Sequence, residues 1–371
     1  MLLCAGFTAR LLEQSPLFQG AGAGIKGIYS FQLGALAVLS TSVQLLAGSK
    51  TLALLTGLPF WSMTLALAAI AYSYSRFSGI KASVATDVVQ LGIILLGGAL
   101  LVTLGLRLTG GLETVRAGLG SVSGEYISLT SASGVEVLLS FGLPTAVGLI
   151  SGPFGDQCFW QRVFSIREDR IGRSFLGAAI LFALAPIAMG TIGFLAAGTG
   201  FQAEDPGMVN FEFVMSLLPA WVLVPFLFMV ISGLLSTVDS NLCAAASLTT
   251  DWMTGEGPDN IRASRRVMLA LLAVSILIAN IPGLTVTHLF LFYGTLRAST
   301  LLPTVMTLLG KRLSAGGVYA GVLTALCIGL PIFACGNLMD IPVLKTIGSL
   351  TTVLSSGAVA LIASRKEVGR L

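Results

Sequence analysis

Two adjacent hydroxyl residues, Ser236 and Thr237, lie in the otherwise apolar segment 231–247, and the carbonyl of Gly233 precedes them by about one turn. A helix that directs two hydroxyls and a carbonyl at one point supplies part of an oxygen cage for a hard cation. The alternative is that the hydroxyls bond back to the preceding turn or pack against another helix. The residues alone leave both interpretations open. Asp239 follows, where it lines an ion exit path or reaches the interface.

A second candidate is the segment 134–157, which carries Pro144 in its interior with Gly142 and Gly148 nearby. Proline removes a helical hydrogen bond and glycine loosens the turn. One interpretation is an interrupted membrane helix that offers free backbone groups to a ligand at the bilayer midplane. The other is a simple proline kink.

Arg297 is the third candidate, since it lies near the middle of the apolar segment 285–310. An arginine at that depth faces the interior of a bundle or a wet cavity and requires a partner. Asp87, Asp239 or an anionic group of a ligand are the candidates. If the helix starts later than the pattern indicates, Arg297 lies near the interface instead.

The residues that build metal centres and active sites are scarce. The chain has one histidine, His288, and five cysteines with no CxxC pair, which excludes a zinc centre and a disulfide framework. Intramembrane enzymes need His, Asp or Glu at catalytic spacing, and one histidine does not supply this. We therefore expect no enzymatic activity and no bound cofactor.

Composition sets the class of protein. Of 371 residues, 55% are apolar and only 10% are charged, against about 25% charged in soluble domains. Such a chain cannot cover its surface with polar groups, which predicts an all-α integral membrane protein in contact with the lipid bilayer. The net charge of +4 is spread over short loops, so no nucleic-acid partner is expected.

The gaps between charged residues predict the spans, because a bilayer core requires about 20 apolar residues of helix. The longest gap contains a helix stop at 280–283 and divides into two spans, so about ten membrane helices are predicted. Residues 108–133 are predicted to form a polar external loop and 206–220 a short external helix or lid. The charge-free runs are 27–49, 51–75, 88–106, 137–155, 174–203, 213–238, 267–296, 313–339 and 346–364.

Loop charges predict the orientation. If the ten spans alternate, the arginines of 162–173 and 262–266, Lys311–Arg312 and the basic C-terminal tail all fall on one side. Glu204, Asp205 and Asp340 fall on the other. Basic loops remain in the cytoplasm, which places both termini inside, in the plasma (inner) membrane.

Four segments resemble parts of the sodium/solute symporter family, which includes sodium–proline and sodium–glucose carriers. They occur in the family's order, and together they are specific although each alone is weak. The resemblance covers about 27–330. The segments are VQLLAGSKTLALLTGLPFW (43–61), SRFSGIKASVATDVVQ (75–90), DQCFWQRVFS (156–165) and ISGLLSTVDS (231–240).

The resemblance implies a leucine-transporter-like bundle of two inverted five-helix repeats and sodium-coupled symport of a small polar organic solute. Gly233, Ser236 and Thr237 then contribute to a sodium site, and Asp87 matches the family's acidic residue on the ion pathway. We assign Asp239 to the same pathway from its position on the sixth span. The interrupted fourth span matches the family's substrate-contacting helix. This assigns substrate contacts to Phe141, Gly142 and Pro144, with Arg297 as a further contact.

The resemblance also implies that the family's unwound first core helix is missing, since only 1–25 precede the match. We therefore expect a single transmembrane transporter domain over 1–371 that is incomplete or truncated. The alternative is a non-transporting membrane scaffold or sensor derived from a symporter. The expected parts are a cytoplasmic tail or helix remnant (1–25), a partial first repeat (27–106), a second repeat (134–310) and two extra helices (313–364).

Overall fold

The computed structural model describes residues 23–368 except 123, 126–127, 129, 251–257 and 312. Of the predicted tail or helix remnant at 1–25, residues 1–22 lie outside the described residues and 23–25 belong to the first helix. Throughout the described part the regular structure is helical, and no strand occurs there. The prediction of an all-α membrane protein is confirmed.

The chain begins with helices α1 (Ala23–Thr56) and α2 (Phe60–Thr109). Gly57 makes the turn between them with φ +68°, a conformation that glycine adopts without strain. The sequence placed the boundary between the first two spans at Lys50, but α1 continues past it. Lys50 is accommodated because its Nζ lies 2.7 Å from Asp205 Oδ2, in a loop at the same end of the bundle.

Helix α2 bends sharply between Ser75 and Asp87. Ser75 and Asp87 both contact one short stretch of the chain, Asp239 and Ser236 respectively. Farther from the bend, Leu67 lies beside Leu234 and Ile94 lies beside the adjacent Gly233, although a straight helix between Leu67 and Ile94 would be about 40 Å long. The first half of α2 therefore runs toward this stretch, and the second half runs back from it.

The middle of the chain supplies six helices. Helix α4 contains one π-helical turn, Leu138–Gly142, which precedes Pro144. The predicted external segments hold α3 and α7. The helices are α3 (Leu112–Gly118), α4 (Ala132–Gly155), α5 (Gln157–Ser165), α6 (Ile171–Gly198), α7 (Val209–Leu217) and α8 (Leu223–Thr250).

The remaining helices are α9 (Pro258–Ala279), α10 (Val286–Ala298), α11 (Leu301–Leu308), α12 (Ala315–Leu338) and α13 (Pro342–Val368). The single helix expected over 285–310 is broken at Ser299 and Thr300 into α10 and α11. The span starts at Val286, as the pattern indicates, so Arg297 lies near its middle.

Eight helices in the described part are long and apolar enough to cross a membrane, against about ten expected. The two further spans correspond to the first half of α2, where Tyr and Ser residues and Arg76 follow the apolar stretch, and to α9, where three arginines precede a charge-free run of only 267–279. Burial distinguishes the inside of the bundle from its edge. Of an apolar 18-residue stretch in each span, 67% of the residues are buried in α10–α11 and 61% in α1, but only 6% in α6, which therefore lies at the edge of the bundle.

Helix α1 is central because α2, α8, α9 and α10 all pack against it. Leu45 and Leu46 of α1 share one buried apolar cluster with Leu242 of α8 and Leu271 of α9. This packing holds the polar residues of α8 and α10 at fixed positions inside the bundle.

Glycines allow α12 and α13 to touch backbone to backbone. A Cβ atom at Gly348 would lie 2.3 Å from the backbone nitrogen of Phe333, and one at Gly321 would lie 2.2 Å from the carbonyl oxygen of Ser356. Neither position has room for a side chain. Small residues at such positions are how membrane helices gain close packing.

We predict that Gly348→Ala lowers the free energy of unfolding by about 1–3 kcal/mol, because the added methyl group overpacks the contact. Gly177→Ala in α6 is the matched control, since nothing lies within 4 Å of a Cβ there. It should leave stability unchanged or raise it by up to about 1 kcal/mol through helix propensity. Denaturant unfolding in detergent measures both, and equal losses would contradict the packing assignment.

The loop carboxylate Asp205 predicts an acid-sensitive contact. The hydrogen bond from Lys50 is the main cause that holds its pKa below the ordinary value of 3.8. A carboxylate whose pKa is lowered on folding stabilises the protein at pH values above its ordinary pKa. This stabilisation is lost as the pH falls through the folded-state pKa. Below about pH 4, the wild-type protein should lose stability as the Asp205 carboxylate of the Lys50–Asp205 contact is protonated. We expect Asp205→Asn and Lys50→Met each to lack this part of the loss. Unfolding midpoints measured from pH 3 to 7 test this, and an unchanged profile in either variant would contradict it.

Candidate functional site

Three separate segments of the chain meet at one polar cluster. The Ser236 hydroxyl of α8 donates to Asp87 Oδ1 of α2 over 2.5 Å. Arg162 of α5 donates from Nη2 to Asp87 Oδ2 (2.9 Å) and to the Ser240 hydroxyl (2.7 Å). Three of the four sequence segments that carry the family resemblance therefore supply this cluster.

Thr237 lies next to the cluster on α8, and its hydroxyl donates to the Gly233 carbonyl oxygen at 3.0 Å. This is the back-bonding that was the alternative to a cation site. Both hydroxyl hydrogens are engaged, that of Ser236 by Asp87 and that of Thr237 by the carbonyl. The oxygen lone pairs remain as acceptors.

Asp239 lies one turn along α8 from Ser236 and is almost fully buried. Its Oδ1 accepts a hydrogen bond of 2.5 Å from Ser75. Its Oδ2 is buried and has no hydrogen-bond partner among the described residues. Ser236 and Asp239 thus lie on the face of α8 that is turned toward α2, where they meet Asp87 and Ser75.

Arg297 forms a buried ion pair, but with a different residue from those expected. Its Nη2 lies 2.5 Å from Asp156 Oδ2, and the two side chains are only 11% and 10% exposed. The proposed partners Asp87 and Asp239 are wrong, because they face Arg162 and Ser75 instead. Asp156 follows directly after α4, and its Oδ1 also caps α5 by accepting from the Cys158 backbone N–H at 2.9 Å.

Helix α5 connects the two charged groups. Asp156 is the residue before the first turn of α5, and Arg162 lies in the last turn of that helix. Between them the Cys158 thiol donates to Asn241 Oδ1 of α8 at 3.2 Å, and Asn241 Nδ2 donates to Thr41 of α1. The ion pair at Arg297 and the cluster at Asp87 are therefore separate but joined through one short helix.

The fourth span is continuous and is not unwound. A π-helical turn, Leu138–Gly142, lies just before Pro144. In such a turn the backbone hydrogen bonds join residues five apart, and these turns are frequent at functional sites. Of the predicted substrate contacts, Pro144 and Arg297 line one small cavity between α4 and α10, whereas Gly142 and Phe141 do not. Phe141 is 44% exposed.

The cavity has a volume of about 10 Å³, room for about one water molecule. Tyr293 forms part of its wall, and the Arg297 guanidinium carbon lies 4.2 Å from the centre of that ring. The other residues that line it are Thr145, Gly148, Leu149, Phe290, Leu291 and Gly294.

No group of three or more His, Cys, Asp or Glu residues that could hold a metal ion occurs in the described part of the chain. His288 Nε2 lies 3.6 Å from Asp340 Oδ1 at the bundle end opposite the basic loops. The candidate site therefore consists of hydroxyls, carboxylates and guanidinium groups inside a helical bundle, which is typical of membrane transport proteins.

Residues 25–325 match the model of the "Sodium:solute symporter family", and the chain belongs to this family. It is 24% identical over 307 residues to the sodium/pantothenate symporter of Escherichia coli (strain K12), covering 79% of this chain and 62% of that protein. It is 23% identical over 233 residues to the urea-proton symporter DUR3 of Oryza sativa subsp. japonica, covering 58% of this chain and 31% of that protein. The chain thus spans less than two thirds of either relative, and the family resemblance noted in the sequence is confirmed.

The buried pair predicts a large coupling between its partners. We expect Arg297→Met to cost about 3–5 kcal/mol of unfolding free energy, because it leaves the Asp156 carboxylate buried and unpaired. Asp156→Asn keeps the helix cap but leaves the guanidinium unpaired. The double variant should cost less than the sum of the two single variants, as measured by chemical denaturation in detergent micelles. Additive costs would show that the two side chains do not stabilise each other.

Proposed function

We propose that this chain carries out sodium-coupled symport of a small polar organic solute by alternating access. Family membership supports solute symport in general, and both relatives are named as symporters. The ion and the solute are proposals that rest on the geometry of the candidate site.

The observation that carries the proposal is the convergence of Asp87, Arg162 and Ser236 at one point. These residues belong to three segments that are far apart in sequence, and Arg162 and Ser236 each donate a hydrogen bond to the Asp87 carboxylate. Polar and ionisable groups inside a membrane protein are costly and mark ion or substrate pathways. A structural contact alone would not require two carboxylates beside an adjacent hydroxyl pair.

The proposed sodium ligands are the Ser236 and Thr237 hydroxyls and the Gly233 carbonyl. A hydroxyl binds a cation through its oxygen lone pair while its hydrogen is donated elsewhere. Asp87 and the Gly233 carbonyl accept those hydrogens, which supports such a role. Each oxygen is thereby oriented before a cation arrives.

Asp87 and Asp239 form the proposed ion pathway. Two carboxylates and one guanidinium, that of Arg162, surround the bend of α2. This arrangement carries one more negative than positive charge when both acids are ionised. A region with that balance attracts a monovalent cation.

The proposed solute site lies between α4 and α10, with Pro144 and Arg297 on its wall and with Phe141 and Gly142 at the adjoining π-helical turn. Movement of one group of helices against another would open this site to each side in turn. The basic loops favour an orientation with that end of the bundle in the cytoplasm. We therefore propose an integral protein of the plasma (inner) membrane with both termini inside.

The test uses the purified chain in detergent, with its unfolding midpoint measured in sodium chloride and in choline chloride of equal ionic strength. A ligand that binds only the folded state raises the midpoint. We expect sodium to raise it by about 2 °C or more, at saturation, in the wild type. The double substitution Ser236→Ala and Thr237→Ala should abolish this rise, because it removes two of the proposed ligand oxygens.

Thr324→Ala is the matched control, because Thr324 makes the same back-bond, to the Ala320 carbonyl at 2.7 Å, in α12. It should keep the full sodium effect. An undiminished sodium effect in the double variant would overturn the assignment of the site. No sodium effect in the wild type would overturn sodium coupling.

A further inference from the structure

The cavity between α4 and α10 contains two buried polar groups that lack partners. Arg297 Nε and Thr145 Oγ1 are both buried without a hydrogen-bond partner among the described residues, and both residues line the cavity. An unsatisfied buried polar group costs about 1–3 kcal/mol. Two of them at one small cavity indicate a position where a ligand completes the hydrogen bonding.

The two groups define the chemistry of that ligand. A guanidinium N–H only donates, whereas a threonine hydroxyl donates or accepts. A ligand that satisfies both therefore presents a hydrogen-bond acceptor to Arg297, and either a donor or a second acceptor to Thr145. The rings of Tyr293 and Phe290 are in edge-to-face contact beside them, with centroids 5.6 Å apart.

The charge of Arg297 does not call for an anionic ligand, because Asp156 already neutralises it. The Asp156 carboxylate lies 2.5 Å from the guanidinium in a position that is about nine-tenths buried. A second carboxylate would leave the region with a net buried negative charge, which is strongly unfavourable.

We infer that this cavity is a solute subsite for an uncharged, amide-like group, whose carbonyl accepts from Arg297 Nε and whose N–H donates to Thr145. The inference rests on the proposed transport function and narrows its solute class: carboxylates are discriminated against by Asp156. The cavity, at about 10 Å³, has room for about one water molecule. A larger solute enters when α4 and α10 separate at Gly148 and Gly294, where a Cβ on Gly148 would lie 2.7 Å from Gly294 Cα.

Acetamide and acetate are the probes, since they have the same number of heavy atoms and differ by one charge. The unfolding midpoint of the purified chain is measured with each probe at equal sodium and ionic strength. We expect acetamide at tens of millimolar to raise the wild-type midpoint by about 2 °C, and acetate to have no effect beyond that of chloride.

Two variants locate the effect. Thr145→Val removes a hydroxyl that has no partner, so it should leave the midpoint without probe unchanged or higher, yet abolish the acetamide effect. Asp156→Asn should transfer the preference to acetate, because Arg297 then lacks its carboxylate. If Asp156→Asn does not fold, Thr145→Val alone still decides the assignment.

Three results would overturn the inference. Acetate could raise the wild-type midpoint as much as acetamide does, acetamide could have no effect on the wild type, or the acetamide effect could persist in Thr145→Val. The sodium response in the same preparation is measured separately. If sodium stabilises the chain and acetamide does not, the solute class is wrong and the proposed cation site is retained. If acetamide stabilises it and sodium does not, the subsite is retained and sodium coupling is wrong.

Discussion

The arrangement of this protein depends on one constraint: polar groups within the hydrocarbon region find their partners inside the protein. The chain has few charged residues, and two arginine–aspartate pairs and one serine–aspartate hydrogen bond determine which helices meet. Arg297 and Asp156 join α10 to the start of α5. Arg162 and Asp87 join the end of α5 to α2, and Ser236 adds α8. Lipid offers no alternative partner to any of these groups.

Helix α5 consequently occupies a special position. It is nine residues long, and its two ends take part in the two charged contacts that flank the proposed solute and cation sites. A displacement of α5 would change both contacts together. If the proposed solute and cation sites are occupied, α5 is the element through which they would influence each other, since coupling between sites requires an element whose position both of them affect.

The sequence predicted which polar residues lie inside the bundle better than it predicted which of them pair with each other. The depth of Arg297 within its span already required a partner, and the structure supplies one. The identity of that partner, Asp156, was not predictable because it lies 141 residues away and depends on how α4 and α10 pack. Asp156 lies in the candidate segment 134–157 and in the family-like segment 156–165, but neither pattern marked its carboxylate as the partner of Arg297.

Boundaries were missed for similar reasons. Lys50 read as the end of a span, yet a loop carboxylate from another part of the chain allows α1 to continue through it. Pro144 read as a possible interruption, and the backbone adapted with one π-helical turn instead. The adjacency of Asp87 and Ser236 follows from the bend in α2, and a hydropathy pattern that separates spans does not indicate how they lie against one another.

The central claim is that the hydroxyls of Ser236 and Thr237 form part of a site for sodium. Equilibrium binding of radioactive ²²Na⁺ to the purified chain, with unlabelled sodium or potassium as competitor, tests it most directly. The account predicts saturable binding of about one ion per chain that sodium displaces and potassium does not. Binding that does not saturate, or that potassium displaces equally well, would contradict it.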